Sequence, residues 1–246
     1  MTLRDVVRSG QFTRGTFLNL GSTGAAEVCA LAGFDWLLVD LEHGAGGEEG
    51  LWSQLLAGSA HGVPVLTRVE SAERIRVGHV LDLGAAGVMF PRLDTPEQVQ
   101  EAISHLWYPP AGDRGIAGYN RGRSFGGDGL TNGEVNESHL GVVQIETASA
   151  LAHVREIAAI PGVDVLFVGP SDLSMSLGVP GQFDSETLLH AYDSVVAAAR
   201  ECDKAAGILA LSPGDVKALR DRGFTFVGVG SDLSLLRDAA REAAVA

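Results

Sequence analysis

Eight short apolar runs recur along the 246 residues: "GTFLNL", "WLLVDLE", "PVLTRVE", "GVMFPRL", "GVVQIET", "DVLFVGP", "AGILALS" and "FTFVGVG". Most are near-continuous rather than alternating, as strands covered on both faces are. Helical patterns follow them, including "GAAEVCALAG", "AERIRVGHVLDLG", "TPEQVQEAISHL", "ASALAHVREIAAI", "LLHAYDSVVAAAREC" and "PGDVKALRDRG", and several stop at Gly. Eight strand-then-helix units in about 250 residues is the arithmetic of a single (β/α)8 TIM barrel. A doubly wound open sheet is the alternative, but no Gly-x-Gly-x-x-Gly fingerprint follows the first strand. No linker or low-complexity stretch divides the chain, so 1–246 is read as one domain.

Charge and composition narrow the partners. A formal charge of −13 argues against nucleic acid, whose binding needs a positive face, and more weakly against an anionic membrane surface. No run approaches the roughly 18 apolar residues of a span, and "MTLRDVVRSGQF" has no secretory signature. Two cysteines, Cys29 and Cys202, fit a reducing cytoplasm and supply too few thiols for a zinc–thiolate site. Among 18 basic residues only Lys204 and Lys217 are lysines. Neither falls at the C-terminal end of a strand, so Schiff-base chemistry is not expected.

Barrel chemistry sits at the C-terminal ends of the strands. Those ends carry Asn19 and Ser22, then Asp40, Glu42 and His43, then Thr67, Arg68 and Glu70, then Arg92 and Asp94. The later strands add Gln144 and Glu146, Ser171 and Asp172, Ser212, and finally Ser231 and Asp232. Clustered carboxylates repel unless a cation joins them. Oxygen ligands without thiols favour Mg²⁺ or Mn²⁺ over zinc. Each carboxylate could instead cap its following helix, but Glu146 and Asp172 lie on adjacent strands and together point to metal. Arg68 beside a metal suits a developing oxyanion; its alternative is an ion pair with a neighbouring carboxylate. Strand alternation argues against Glu70 as that partner. His43 follows its strand and precedes Gly-Ala-Gly-Gly, where backbone freedom is high; a lone histidine can be structural, but the strand-end position favours a functional one.

The tetrapeptide Ser-Asp-Leu-Ser occurs twice, at 171–174 and 231–234, each time between a strand and a helix. Asp172 follows the strand after Glu146 and is expected to bind metal. Asp232 or Ser231 is expected to cap the last helix. The segment from Tyr108 to Glu137 is long, polar and Gly-rich, which marks a functional loop or lid.

Taken in order, "FDWLLVDLEHG", "PVLTRVE", "VLDLGAAGVMFPRLDTPEQ", "YPPAGDRG", "VVQIET" and "GPSDLSMSLG" closely resemble the class II, metal-dependent pyruvate aldolases of the HpcH/HpaI family. The resemblance covers nearly the whole chain. It implies reversible cleavage of 4-hydroxy-2-oxo acids into pyruvate, or hydroxypyruvate, and an aldehyde through a metal-bound enolate. It implies Glu146 and Asp172 as ligands of a divalent ion (Mg²⁺, Mn²⁺ or Co²⁺). Gln144, Ser171 and Asp172 are implied substrate contacts, Ser171 through its backbone amide. Arg68 is implied to support the enolate, His43 to be the acid/base residue, and Asp82 to raise the basicity of His43. A cytoplasmic hexamer of barrels with an exchanged C-terminal helix is also implied. Asp82 precedes the fourth strand, so it either reaches His43 from a neighbouring subunit or is a surface helix residue.

The acceptor aldehyde is open among succinic semialdehyde, hydroxyaldehydes and tartronate semialdehyde; Arg121 and Arg123 are either solvated loop charges or candidates for binding a distal anion. Two other readings stay open. One is a CoA-ester lyase of the malyl or citryl type, although no extended basic strip for CoA is visible. The other is a non-catalytic barrel that binds an oxo acid.

Overall fold

The computed structural model describes residues 1–245. Eight strands close in sequence order into one barrel. They are β1 (Thr13–Leu18), β2 (Trp36–Asp40), β3 (Val65–Arg68), β4 (Gly87–Phe90), β5 (Leu140–Ile145), β6 (Val165–Val168), β7 (Ala205–Ala210) and β8 (Phe226–Ser231). Every pair is parallel, and β1 closes onto β8 through an irregularity between Gly15 and Phe17. The TIM-barrel expectation is therefore met. Among the described residues, no helix is long and apolar enough to cross a membrane.

The chain's apolar runs serve two layers because alternate strand residues face opposite ways. One set, with Trp36, Leu38, Leu66, Met89, Phe167 and Phe226, fills the barrel. Trp36 and Phe226 stack at 4.2 Å between ring centroids. Gly15 makes that possible, since a Cβ there would sit 2.0 Å from the Trp36 ring. The other set, with Leu37, Val39, Val88, Val143 and Ile208, packs against the surrounding helices.

Helix α1 (Leu3–Arg8) was not evident in the sequence; it closes the N-terminal end of the barrel with Leu3 and Val7. Arg4, buried on the same helix, donates to Asp164 at 2.9 Å, and Arg8 donates to the other oxygen at 3.0 Å. The expected helices appear as α2 (Thr23–Leu31), α4 (Arg74–Asp82), α5 (Pro96–Ser104), α10 (Glu186–Glu201) and α11 (Val216–Arg222). "ASALAHVREIAAI" breaks at His153 into α7 (Ala148–Ala152) and α8 (Val154–Ala159). Both Ser-Asp-Leu-Ser copies open helices, α9 (Pro170–Ser176) and α12 (Asp232–Val245). Helix α3 (Glu48–Ala60) is additional.

The stretch expected to be one long loop contains a 3-10 turn at Arg121–Gly126 and helix α6 (Asn132–Ser138). It connects α5 to β5, which places it at the N-terminal end of the barrel. Arg121 there donates to the Leu83 carbonyl and to Ser59, and Arg123 pairs with Asp128 at 2.5 Å. Neither arginine lines its own chain's barrel mouth.

Candidate active site

A cavity of about 280 Å³ opens at the C-terminal ends of the strands. The strand-end shortlist converges on it: Asn19, Asp40, His43, Arg68, Gln144, Ser171, Asp172 and Ser231 all line it.

Its floor is organised by one ion pair. The β2–β3 register sets Asp40 beside Arg68. Arg68 Nε donates to Asp40 Oδ1 at 2.9 Å and Nη2 to Oδ2 at 2.7 Å, a two-pronged pairing that fixes the guanidinium plane. Asn19 Nδ2 and the amides of Glu42 and His43 donate to the same carboxylate. Burial alone would push the Asp40 carboxyl up, but Arg68 and these amides hold it below the usual range. Burial likewise works against the Arg68 charge, and Asp40, Glu42 and Glu146 more than restore it. Arg68 Nη1 lies 3.2 Å from Glu42 Oε2 and 3.4 Å from Gln144 Oε1, and the guanidinium rests over the Phe17 ring. The carboxylate partners of Arg68 are thus Asp40 and Glu42; Glu70 pairs with Arg76 instead.

Gln144 and Glu146 sit two residues apart on and just past β5, so both side chains face the same way. Gln144 Nε2 donates to Glu146 Oε2 at 3.1 Å, and the backbone amide of Arg92 donates to Oε1 at 2.7 Å. Arg92 adopts φ 54, an uncommon left-handed conformation for a residue with a side chain. The shortlist had included Arg92 for its charge; its contribution is a strained backbone amide aimed at Glu146. Glu146 is almost wholly buried, and that burial pushes its carboxyl up, with Asp172 and Glu42 adding to the shift.

Asp172 lies in the first turn of α9, exposed, with no hydrogen bond or ion pair among the described residues. Two carboxylates close enough to repel, one buried and one unpartnered, make a donor set that a divalent cation would satisfy. Space for it is kept by Gly169: a Cβ there would lie 3.1 Å from Glu146 Oε2 and 3.4 Å from Gln144 Nε2. Among the described residues no three His, Cys, Asp or Glu side chains gather as a metal cluster.

His43 stands at the rim with a largely exposed side chain, Nε2 3.8 Å from Glu42 Oε2. Asp82 is not brought to it within the chain. Asp82 ends α4 on the opposite side of the barrel and accepts from the buried Arg114 at 2.7 Å. Asp232 does not join the metal carboxylates. Its Oδ1 accepts from the amides of Asn19 at 2.8 Å and Leu233 at 2.7 Å, tying β1 to the start of α12.

The chain as a whole is similar to known proteins. The chain is 40% identical over 235 residues, 93% of its length and 90% of the relative's, to a hydroxypyruvate/pyruvate aldolase of Paraburkholderia phytofirmans. It is 37% identical over 235 residues, 94% and 91% of the two lengths, to a 2-dehydro-3,6-dideoxy-6-sulfogluconate aldolase of Pseudomonas putida. A crystal structure of an HpcH/HpaI aldolase/citrate lyase family protein from Burkholderia cenocepacia J2315 superposes with a TM-score of 0.93 at 36% identity, covering 98% of this chain and 96% of that one. Residues 14–239 match the family as a whole, and the chain belongs to the HpcH/HpaI aldolase/citrate lyase family of carbon–carbon lyases.

Proposed function

We propose that the cavity binds pyruvate or hydroxypyruvate and reversibly joins it to an aldehyde, giving a 4-hydroxy-2-oxo acid, with a divalent metal held by Glu146 and Asp172. The observation that carries this reading is the Arg68–Asp40 pair on the cavity floor beside Gln144 and the buried Glu146. Mg²⁺, Mn²⁺ or Co²⁺ there would act as a Lewis acid on a 2-oxo acid's carbonyl and acidify its C3 protons.

The chain's own residues do the rest. In the cleavage direction the C4 hydroxyl gives up its proton, the C3–C4 bonding pair moves into the C2–C3 bond, and the aldehyde leaves. Negative charge builds on the C2 oxygen, and Arg68, already oriented by Asp40, stabilises it without reorganising. Gln144 and the Ser171 amide position the oxo acid. His43, at the rim, carries the hydroxyl proton. Asp82 would support His43 from a neighbouring subunit of a hexamer. An assembly is favoured by α12, whose Leu236 and Val245 are 60% and 87% exposed.

The test is aldehyde-dependent consumption of pyruvate and of hydroxypyruvate by chelator-stripped protein, with each metal added back. Consumption restored by metal in wild type but not in Glu146→Gln supports the reading. Full activity after stripping, or in Glu146→Gln, contradicts it.

A further inference from the structure

Resting on that reading, we propose that the cavity accepts an uncharged, hydroxylated aldehyde and discriminates against aldehydes bearing a distal carboxylate, sulfonate or phosphate. The donor acid occupies the floor, so the acceptor's far end meets the lip formed by β7, β8 and the end of β1. That lip carries Leu209 and Leu211 on one side and Ser231, Ser234 and Asn19 on the other. Among the described residues, His43 and Arg68 are the only basic side chains lining the cavity. Arg68 is committed to Asp40 and Glu42 on the floor. His43, at the rim, is the proton carrier of the proposed reaction, so no arginine or lysine of this chain is left to meet a distal anion at the lip.

The lip also lacks the usual anion seat of such barrels. Loops after strands seven and eight often bind phosphate at a helix N-terminus. Here one first-turn amide of α12, that of Leu233, is taken by Asp232, which also accepts from the amides of Asn19 and Leu20 past β1, and the Ser234 amide goes to Ser231 Oγ. Asp232 is buried behind the lip and has no ion-pair partner among the described residues, so its carboxyl group already takes the donors an anion would use. A distal anion would meet that group there instead of a partner.

Hydroxyl groups fare differently. Asn19 spends its N–H on Asp40 and leaves its carbonyl oxygen without a donor among the described residues. Ser231 Oγ accepts from the Ser234 amide at 3.2 Å. Its own hydroxyl proton has only Ser234 Oγ at 3.5 Å, a separation too long for a strong bond. One acceptor and one donor thus face an aldehyde's hydroxyls across from an apolar wall.

The test compares kcat/KM for glyceraldehyde and glyceraldehyde 3-phosphate with pyruvate as donor and metal-loaded enzyme. The expected preference is at least about tenfold for the neutral aldehyde, narrowing as salt rises from about 0.02 to about 0.5 M and screens the repulsion. Leu211→Arg, which sets a cation on the lip, is expected to cut that ratio at least about fivefold. Equal or better use of the phosphate at low salt overturns the proposal. Exchange of pyruvate C3 protons, followed in the same samples, separates the two failures. Exchange with a preference for the anion overturns this proposal alone. No exchange and no condensation overturns the aldolase reading and this proposal with it.

Discussion

Asp40→Asn is the most informative single substitution, because it keeps the shape of the side chain and removes its charge. The wild-type carboxylate accepts from Arg68 twice, from Asn19, and from the amides of Glu42 and His43. An asparagine retains one acceptor oxygen. If that oxygen serves Arg68 Nε and the two amides, the new NH₂ faces Arg68 Nη2 and Asn19 Nδ2, donor against donor. Asp40 is fully buried and Arg68 nearly so, so breaking the pair should cost about 3–5 kcal/mol. For a chain of this size that lowers Tm by roughly 6–20 °C. Freed from its anchor, Arg68 should lose its aim at the developing oxyanion, cutting kcat by about 10²–10³. The fold holds the Asp40 carboxyl below its ordinary value, so its contribution is complete above the usual carboxylate range and is lost as pH falls through the depressed value. Wild type should therefore shed this stability in acid, whereas the variant has none to shed. Thermal melts across pH and condensation rates measure both effects. A Tm within about 2 °C of wild type, with activity within about twofold, would refute the reasoning.

Other expectations follow from neighbouring groups. A divalent ion at about 100 times its Kd should stabilise wild type by about 2.7 kcal/mol, and Glu146→Gln should lose that rise. Burial holds the metal-free Glu146 carboxyl above its ordinary value, so its stability contribution falls as pH rises through that value; differential melts of wild type and Glu146→Gln check this. Gly169→Ala, whose Cβ would enter the space beside Glu146 Oε2, should weaken metal affinity at least about tenfold with little change in the metal-free melt; calorimetric titration reads it directly. Burial, with Arg114 and Arg4 nearby, lowers the His139 pKa from 6.5 to about 3. Wild type should therefore lose up to about 1.4 kcal/mol per pH unit as pH falls through that window, and His139→Phe should flatten that part of the stability curve in acid denaturation.

Much of this molecule is legible in its sequence, for physical reasons that also explain the gaps. Strands buried on both faces announce themselves as apolar runs, and their C-terminal ends name the residues that share one mouth. Arg68, Gln144 and Asp172 surfaced that way and do line one cavity with Asp40 and His43. What a single chain does not display is pairing across strands. Asp40 and Arg68 are neighbours only through the β2–β3 register, so the partner of Arg68 stayed open until the fold was in hand. Backbone roles are equally hidden: Arg92 reads as a charge, yet its amide is what reaches Glu146. Helix α3 escaped notice because glycines at 50 and 58 interrupt its pattern. The segment 108–137 stood out for its composition, but its end of the barrel follows from chain order. A connection from helix to strand returns to the N-terminal side, away from the mouth.

The central claim is that the floor around Arg68 stabilises an enolate drawn from a 2-oxo acid, and it can be tested without knowing the acceptor. Pyruvate C3 proton exchange in D₂O, followed by NMR, should be negligible in metal-stripped protein. It should appear with Mg²⁺ or Mn²⁺ and fall at least about 10²-fold in Arg68→Ala. Exchange that survives the loss of Arg68, or that is absent from the metal-loaded wild type with both pyruvate and hydroxypyruvate, would contradict it.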